Sequence, residues 1–508
     1  MKTKSLILFT LISLIGYSQD AKVHGVNTFS LRNSGTILDK NKDVDGYYFF
    51  YKVDKLKKGD VEFAIKILDK NLVEVAQKSY IDNKNTFLMK SSFNNQAMMF
   101  AMANYKEKKI ELLTFDKQVN QKETVTIPLE SKEIKYMQLM QQQSSDFNVL
   151  FPVDNKGFLL NKFEDNKRIG YSLKFYPTDG GNKWEFNSPE DTKEILTINP
   201  IQVNEKVVVA LETSRNSAMS RKMTIRTKVI DVNTGNLLFE REYSKAAKPR
   251  LITNAFLDND NNVVLMGEYF KNGDNILDDK SLGLFSEIID LKGKTLSETF
   301  TSWNEDVAKL IKVNKSFINE KGYIYFHNIV RTNSGEYYAI GEFYKKTASA
   351  AGIGMAILNQ GQSSVTQISI TNAVIFKFNK DFKLTEITEF EKSISRAPSL
   401  TDFGSPQLNA HGLKAYGAFD YEYTQIDKAN DRFYACFIDY EKIKGARNKN
   451  AFKTIIYDEG KLSEDKIYLE EGDSDFRVFP AKLGSVLLIE YNKKQKQINL
   501  HLEKLNIK

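Results

Sequence analysis

Apolar residues run consecutively in short stretches along most of the chain, instead of falling at every second position. The clearest runs are residues 263–270 and 337–344, and each follows a turn rich in Asn, Asp, Ser or Gly. A strand with one solvated face alternates between apolar and polar residues, whereas a strand covered on both faces does not. The pattern therefore predicts strands that lie between two packed layers.

These strands recur in a unit of turn, apolar strand, polar loop, second strand and second turn. A Gly-Glu-aromatic triplet occupies the same position in two of the units, at residues 267–269 and 341–343. Eight units, mostly about 50 to 75 residues apart, can be placed on the chain. They pair residues 46–50 with 63–69, 97–101 with 110–116, 157–160 with 171–175, 207–211 with 227–231, 263–270 with 284–290, 336–344 with 373–379, 432–439 with 452–458, and 485–489 with 498–502.

Repetition at this period in an all-β chain is typical of radial repeat folds. In a β-propeller each four-stranded blade is covered by its neighbours, which explains the consecutive apolar positions. The sequence therefore predicts an all-β fold with a single β-propeller of seven or eight blades, since one unit could be shared between the two chain ends. The alternative is a pair of β-sandwiches, whose strands would alternate more strongly.

Few stretches of the chain have helical periodicity. Residues 131–143 have helical spacing and begin with Ser131 as a candidate cap, and residues 305–313 form a second candidate. Both are interpreted as short connectors between blades.

The first 18 residues have the pattern of an export signal. Lys2 and Lys4 precede the apolar stretch 6–15, and small residues then lead to a cleavage point after Ser18. The apolar stretch is too short to span a bilayer comfortably, and no later segment is long and apolar enough to do so. We therefore predict a signal peptide at 1–18 and a mature propeller at 19–508, located in the periplasm, at the cell surface or outside the cell.

Composition narrows the function classes. The chain has 508 residues, of which 41% are hydrophobic, and 72 basic against 65 acidic side chains give a net charge of +7. The basic residues form no dense tract, which argues against nucleic-acid binding. Cys436 is the only cysteine, so the chain has no internal disulfide, and its apolar surroundings predict a buried, inert thiol.

The repeated glycine-aromatic strands and Asp-containing turns resemble those of secreted bacterial β-propeller-like proteins, many of which have no assigned function. The resemblance covers residues 23–508, but its motifs are loose. It implies the fold and an exported location. It implies no catalytic residue, because none can be matched.

One local motif suggests a metal. Asn41, Asp43 and Asp45 offer oxygen ligands at alternate positions before Gly46, which is how short loops surround calcium. The twelfth position of the helical calcium loop is Lys52 instead of glutamate, and a strand follows the motif instead of a helix. The alternative is an acidic turn that leads into a strand.

An uncharged stretch at residues 347–376 interrupts the clearest repeat unit, and its insertion spans residues 347–372. Long loops in compact domains are often functional. The stretch is therefore a candidate lid or contact segment, for a partner or for the membrane. The alternative is an insertion that packs on its own blade.

Catalytic motifs are missing from the sequence. The sequence has no nucleophile elbow and no phosphate-binding loop. Its four histidines form no zinc-binding pair; these histidines are His24, His327, His411 and His501. The sequence therefore favours an exported binding or scaffold protein of the cell envelope, with no cofactor and with an envelope protein or glycan as its partner. The alternatives are a carbohydrate-active hydrolase or lyase with its site in the central funnel, and a purely structural envelope component.

Overall fold

Eight antiparallel sheets make up the fold. The computed structural model describes residues 19–31, 33–143, 148–165, 169–217, 220, 223–313, 316–351, 355, 364–441, 449–469 and 476–506. Within these residues, 33 strands form seven four-stranded sheets and one five-stranded sheet. The predicted signal segment 1–18 lies outside the described residues.

Each sheet is one blade, and its strands follow the chain from the innermost position outward. The first strand of the chain, β1 (Gln19–His24), is the exception, because it is the outermost strand of blade 8. Blade 1 consists of β2 (Ser34–Leu38), β3 (Val44–Lys55), β4 (Asp60–Asp69) and β5 (Glu74–Asn83). Blade 2 consists of β6 (Phe87–Phe93), β7 (Ala97–Asn104), β8 (Lys109–Asp116) and β9 (Gln121–Pro128). Blade 3 consists of β10 (Leu150–Val153), β11 (Gly157–Asp165), β12 (Ile169–Pro177) and β13 (Trp184–Asn187). Blade 4 consists of β14 (Ile195–Val203), β15 (Val207–Arg215), β16 (Thr224–Asp231) and β17 (Leu237–Glu242).

The second half of the ring follows the same plan. Blade 5 consists of β18 (Arg250–Leu257), β19 (Val263–Tyr269), β20 (Gly283–Ile289) and β21 (Thr295–Ser302). Blade 6 consists of β22 (Tyr323–Arg331), β23 (Tyr337–Ala348), β24 (Thr366–Phe378) and β25 (Leu384–Phe390), with β26 (Ser395–Pro398) also paired to β24. Blade 7 consists of β27 (Tyr421–Asp427), β28 (Arg432–Glu441), β29 (Lys449–Asp458) and β30 (Lys461–Tyr468). Blade 8 consists of β31 (Phe476–Pro480), β32 (Ser485–Asn492), β33 (Gln497–Lys504) and β1.

The predicted β-propeller is confirmed, with eight blades. Each of the eight predicted units is the second and third strand of one blade. Every residue of β7 and of β19 is buried, whereas the outermost strand β5 alternates between more and less exposed positions. This contrast confirms that the consecutive apolar runs come from strands covered on both faces.

The core of the molecule lies between successive blades. Between blades 1 and 2, for example, the ring of Phe50 lies 5.4 Å from that of Phe63 and 5.5 Å from that of Phe100, measured between centroids. The ring closes in blade 8, where the N-terminal strand β1 pairs with the C-terminal strand β33. Both chain ends therefore contribute to one blade, as the sequence allowed.

Two helices of ten or more residues occur in the described part of the chain, α1 (Ser131–Gln143) and α4 (Pro406–Ala415). The other helical segments are short: a 3₁₀ turn (Lys57–Gly59), a π-helical turn (Trp303–Val307), α2 (Ala308–Leu310) and α3 (Phe317–Glu320). The predicted helix at 131–143 is confirmed, and the predicted one at 305–313 overlaps the π-helical turn and α2. No described helix is long and apolar enough to cross a membrane.

The uncharged insertion lies between the two central strands of blade 6. Strand β23 extends to Ala348 and β24 begins at Thr366, so both ends of the predicted 347–372 segment belong to the sheet. Residues 352–354 and 356–363 lie outside the described residues. The lid or contact role of this segment stays a prediction.

Candidate functional site

The innermost strands of blades 5, 6 and 7 each contain a β-bulge, as do those of blades 2 and 4. The register shifts between Ile252 and Asn254, between Phe326 and Asn328, and between Tyr421 and Tyr423. The bulged residues are Thr253, His327 and Glu422. A bulge redirects a side chain and twists its strand, and the bulged residues of blades 5 and 6, Thr253 and His327, both border one cavity of the central channel.

The repeated Gly-Glu pairs lie opposite two of these bulges. A Cβ atom on Gly267 would lie 2.0 Å from the carbonyl oxygen of Leu251, and one on Gly341 would lie 2.7 Å from that of Tyr325. Glycine therefore lets the bulged strand approach closely in blades 5 and 6. The following glutamates, Glu268 and Glu342, are both buried.

Glu342 is the centre of a buried ionic network. Its Oε2 lies 2.9 Å from Nε2 of His327 and accepts a 3.0 Å hydrogen bond from the backbone N–H of Tyr421. Its Oε1 lies 3.0 Å from Nζ of Lys392, which lies 2.5 Å from Oδ2 of Asp420. The side chains of His327, Glu342 and Lys392 are fully buried. The network therefore fixes the segment between blades 6 and 7 against the wall of the channel.

The network sets the charge of its members. Burial alone would raise the pKa of Glu342, but the Lys392 ammonium and the His327 ring hold it well below its usual range. Burial, and then the Lys414 charge, lowers the pKa of His327 to about 4. At neutral pH the site thus contains an ionised carboxylate and a neutral imidazole, and the imidazole stacks on Tyr421 with 4.7 Å between ring centroids.

Helix α4 brings a cation to the channel. The Ser405 side chain accepts a 3.0 Å hydrogen bond from the backbone N–H of Leu408 at the helix start, and Pro406 occupies the first turn. Gly417, with φ of +67°, follows the helix end. Lys414 in the last turn lies 5.1 Å from the ring centroid of Tyr421. Sequence reasoning did not predict α4, although the Ser-Pro start and the glycine after its end are helix signals.

The channel cavity that Thr253 and His327 border has a volume of about 390 Å³. Its lining is mostly polar and comes from blades 4, 5 and 6 and from α4. The lining includes Gln202, Thr253, Asn254, His327, Asn328 and Lys414. It can therefore offer amide, hydroxyl and ammonium groups to one small ligand.

Glu422, the bulged residue of blade 7, is an acidic side chain close enough to Lys414 and Arg477 for their charges to affect it. Its side chain is exposed, but surrounding protein raises its pKa to about 7, against the opposing effects of Arg477 and Lys414. A solvent-accessible acid with a near-neutral pKa in a cleft is a candidate functional group. Near neutral pH the carboxyl is about half protonated, so it offsets only part of the positive charge of Lys414 and Arg477.

The predicted calcium ligands lie elsewhere, Asn41 and Asp43 in the turn between β2 and β3 and Asp45 at the start of β3. Oδ1 of Asp39 accepts hydrogen bonds of 2.8 and 3.0 Å from the backbone N–H groups of Asn41 and Asp43, and Asp45 pairs with Lys117 at 3.4 Å. No cluster of three or more acidic, His or Cys ligands occurs in the described residues. Calcium binding at Asn41, Asp43 and Asp45 stays a prediction.

Cys436 and His501, which the sequence predicts to be structural, lie in strands of blades 7 and 8. Cys436 is buried as predicted, and burial raises its pKa to about 12. His501 lies in β33, where its Nδ1 is 3.0 Å from Asp20 of β1. Sequence reasoning assigned no role to His327, Lys392 or Glu422. The Gly-Glu repeat was the signal that pointed to Glu268 and Glu342.

Comparisons with known proteins give a family and a set of β-propeller structures. A model described as "Family of unknown function (DUF6770)" matches residues 1–506, and no curated protein matches the sequence. Similar solved structures include prolyl oligopeptidase B from Galerina marginata (10% identity, TM-score 0.39, 92% of this chain and 56% of that chain). Others are the β-propeller domain of the Trilobed protease from Pyrococcus furiosus (11%, 0.32, 72% and 97%) and the polysaccharide lyase Uly1 (10%, 0.34, 82% and 89%). The chain spans just over half the length of the prolyl oligopeptidase, and none of these similarities bears on what it binds or catalyses.

Proposed function

The chain belongs to a family of unknown function, DUF6770, and on that premise we propose a function from the channel itself. The protein binds a small carboxylate rich in hydroxyl groups, such as a sugar acid, in the channel cavity that Thr253 and His327 border. It does so as an exported binding protein of the cell envelope. The observation that carries this proposal is the polar cavity of about 390 Å³ with Lys414 in its wall.

The lining matches that ligand class group by group. The side-chain amides of Gln202, Asn254 and Asn328 can both donate to and accept from hydroxyl groups. The Lys414 ammonium supplies a charge-assisted hydrogen bond to a carboxylate. His327 is neutral at neutral pH, and Glu422, with a pKa of about 7, adds only about half of a negative charge. The balance of charge therefore favours an anionic ligand over a neutral one.

Calorimetric titration of the protein with D-glucuronate and with D-glucose tests this proposal. We expect glucuronate to bind at least about tenfold more tightly than glucose, because only glucuronate can pair with Lys414. Lys414→Met, which keeps the length of the side chain, should remove that preference. Lys461→Met, on the exposed outermost strand β30, is the matched control and should leave both affinities unchanged. Equal affinities, or full binding by Lys414→Met, would contradict the proposal.

A carbohydrate-active hydrolase or lyase is the second candidate, and Glu422 is the observation that favours it. An exposed carboxyl with a pKa of about 7 is still about half protonated at neutral pH, which is a property of a general acid. In that case the protein should release new reducing or unsaturated ends from an acidic polysaccharide. Glu422→Gln should abolish this release while glucuronate binding persists, whereas binding without turnover would exclude this candidate.

The proposed exported location makes a separate prediction about the N-terminus. Cleavage after Ser18 would leave Gln19, the first residue of β1, as the first residue of the mature protein. Mass spectrometry of the protein from the envelope fraction should find a mature N-terminal peptide that begins at Gln19. A peptide that still contains residues 1–18 would contradict the proposed cleavage.

A further inference from the structure

A second polar cluster lies between blade 5, blade 6 and α4. We propose that it is a binding site for a monovalent alkali cation, with the side-chain oxygens of Glu268 and Gln407 as its principal ligands. The proposal is independent of the ligand proposed for the channel, because it rests on different side chains.

Two buried oxygens in the cluster have no hydrogen-bond partner among the described residues. These oxygens are Oε2 of Glu268 and Oε1 of Gln407. Glu268 is 3% exposed and Gln407 is fully buried. A buried polar atom without a partner costs free energy, and nearly all such atoms in folded proteins are paired with protein, water or an ion. Where Glu268 is ionised, above a pH of about 8, both oxygens are acceptors without a donor, and two of them in one cluster then point to a bound species.

A single hydroxyl brings these two side chains together. Oγ of Ser281 accepts hydrogen bonds from Nε1 of Trp303 at 3.0 Å and from Nε2 of Gln407 at 2.9 Å. With both acceptor positions used, the Ser281 O–H is left to donate to Glu268, and this hydrogen bond opposes the effect of burial on the carboxyl. Glu268 and Gln407 are thus held on either side of Ser281, each with one oxygen still available.

Three tyrosines lie near enough to Glu268 for its charge to affect their hydroxyls. Burial, and then the charge of Glu268, raises the pKa of Tyr323 to about 12, and a hydrogen bond that the Gln407 amide N–H donates to the Tyr323 hydroxyl oxygen opposes both effects. The same two causes raise the pKa values of Tyr325 and Tyr344. A carboxylate, an amide carbonyl and neutral hydroxyls are the hard oxygen ligands that alkali and alkaline-earth cations take.

The charge of the cluster selects a monovalent ion. Glu268 has no ion-pair partner among the described residues, and His411, the nearby titratable group on α4, has its pKa lowered to about 4 by burial and is neutral. One alkali cation would neutralise one carboxylate, whereas a divalent ion would leave a net charge buried in protein. Burial raises the pKa of Glu268 to about 8, so a proton competes with the cation below that pH.

A second cavity lies next to the cluster. Tyr323 and Ser405 line this cavity, which has a volume of about 560 Å³ and is bordered by α3 and by the adjoining ends of β23 and β24. Tyr323 therefore has the cluster at its hydroxyl and this cavity beside it. A bound cation would fasten α4, through Gln407, to blade 5, where Glu268 and Ser281 lie.

Thermal unfolding of the full chain in sodium, potassium or choline chloride at constant ionic strength tests the proposal. At a pH of about 9, where Glu268 is ionised, we expect sodium or potassium to raise Tm by about 2 °C or more over choline. At a pH of about 6 the increment should be much smaller, because the proton occupies the carboxylate. The comparison of the two alkali salts identifies which ion the site prefers.

Glu268→Gln keeps the size and the Ser281 hydrogen bond but removes the charge, so it should abolish the salt-specific increment. Glu190→Gln, at an exposed position outside the strands, is the control and should retain it. A crystal soaked in thallium(I), which substitutes for potassium, should give an anomalous peak between Glu268 Oε2 and Gln407 Oε1. An increment that survives in Glu268→Gln, or a thallium-soaked crystal without that peak, would overturn the proposal, whatever the channel binds.

Discussion

At the scale of single residues, Lys392 is the side chain on which the ionic network depends most. Its ammonium lies between the carboxylates of Glu342 and Asp420, and neither Lys392 nor Glu342 is exposed. Two ions buried together can break even against apolar packing, but removing one of them leaves the other unpaired in a low dielectric. The network therefore makes the segment between blades 6 and 7 sensitive to single substitutions.

We expect Lys392→Met to lower the free energy of unfolding by about 3 to 5 kcal/mol, the range for breaking a buried ion pair. Equilibrium unfolding in urea measures this change. Lys461→Met, on exposed strand β30, should change the same quantity by less than about 0.5 kcal/mol. A loss of similar size in the two variants would show that the network contributes nothing specific.

His327 predicts a loss of stability in acid. Burial, and then Lys414, lowers its pKa to about 4, so the folded protein excludes a proton that the unfolded chain binds at its ordinary value near 6.5. Stability should therefore be full above pH ~6.5 and fall as the pH drops towards ~4, by about 3 kcal/mol in total from this residue.

Replacing the imidazole should remove this part of the pH dependence. Urea midpoints of His327→Gln, measured between pH ~6.5 and ~4, should decline less than those of the parent protein. His24→Gln, at an exposed position in β1, should follow the parent profile. Parallel profiles for all three proteins would mean that His327 is not held neutral by the fold.

At the scale of elements, the glycines opposite the bulges are the most constrained positions. A Cβ at Gly267 would lie 2.0 Å from the backbone oxygen of Leu251, and backbone atoms cannot move aside as a side chain can. We expect Gly267→Ala to destabilise the protein by roughly 2 to 4 kcal/mol, as other strained core substitutions do.

Alanine substitutions at two other glycines test whether the distance to the nearest atom sets the loss of stability. Gly341→Ala should cost less, because its Cβ would meet the backbone oxygen of Tyr325 at 2.7 Å. Gly181→Ala, where the nearest atom is the flexible Asp179 carboxylate, should be close to neutral in thermal unfolding. An order of costs other than Gly267, Gly341, Gly181 would show that close approach does not set the cost.

The elements also show what the sequence could predict. Strands that are buried along their whole length, such as β19, have apolar residues at consecutive positions in the sequence, so the propeller and its eight units were predictable. The bulges were not predictable, because they arise from the pairing of an innermost strand with its neighbour. In blades 5 and 6 the only sequence signal of the bulge is the Gly-Glu pair on the neighbouring strand. Lys392 reaches Glu342 from 50 residues along the chain, and such proximity depends on how the strands of blade 6 pair instead of on local spacing.

At the scale of the whole molecule, the pairing of β1 with β33 holds the two ends together. Val23 of β1 is buried with Ile498 and Leu500 of β33 in one apolar cluster. We expect Val23→Asp to destabilise the protein by about 3 kcal/mol or more, because it buries an unpaired carboxylate at the junction. Lys22→Asp, on the exposed face of the same strand, should have little effect on the urea midpoint.

The shared blade also imposes an order on biogenesis. Asp20 and His501 meet across 481 residues, so β1 is among the first strands to be synthesised and the last to find its partner. Contacts of such high sequence separation form slowly, and until they form both strands offer open hydrogen-bonding edges to other chains. A product truncated before β33 would keep that open edge permanently. Completion of the ring thus separates full-length molecules from fragments, and fragments should be the species that proteases and holding chaperones act upon.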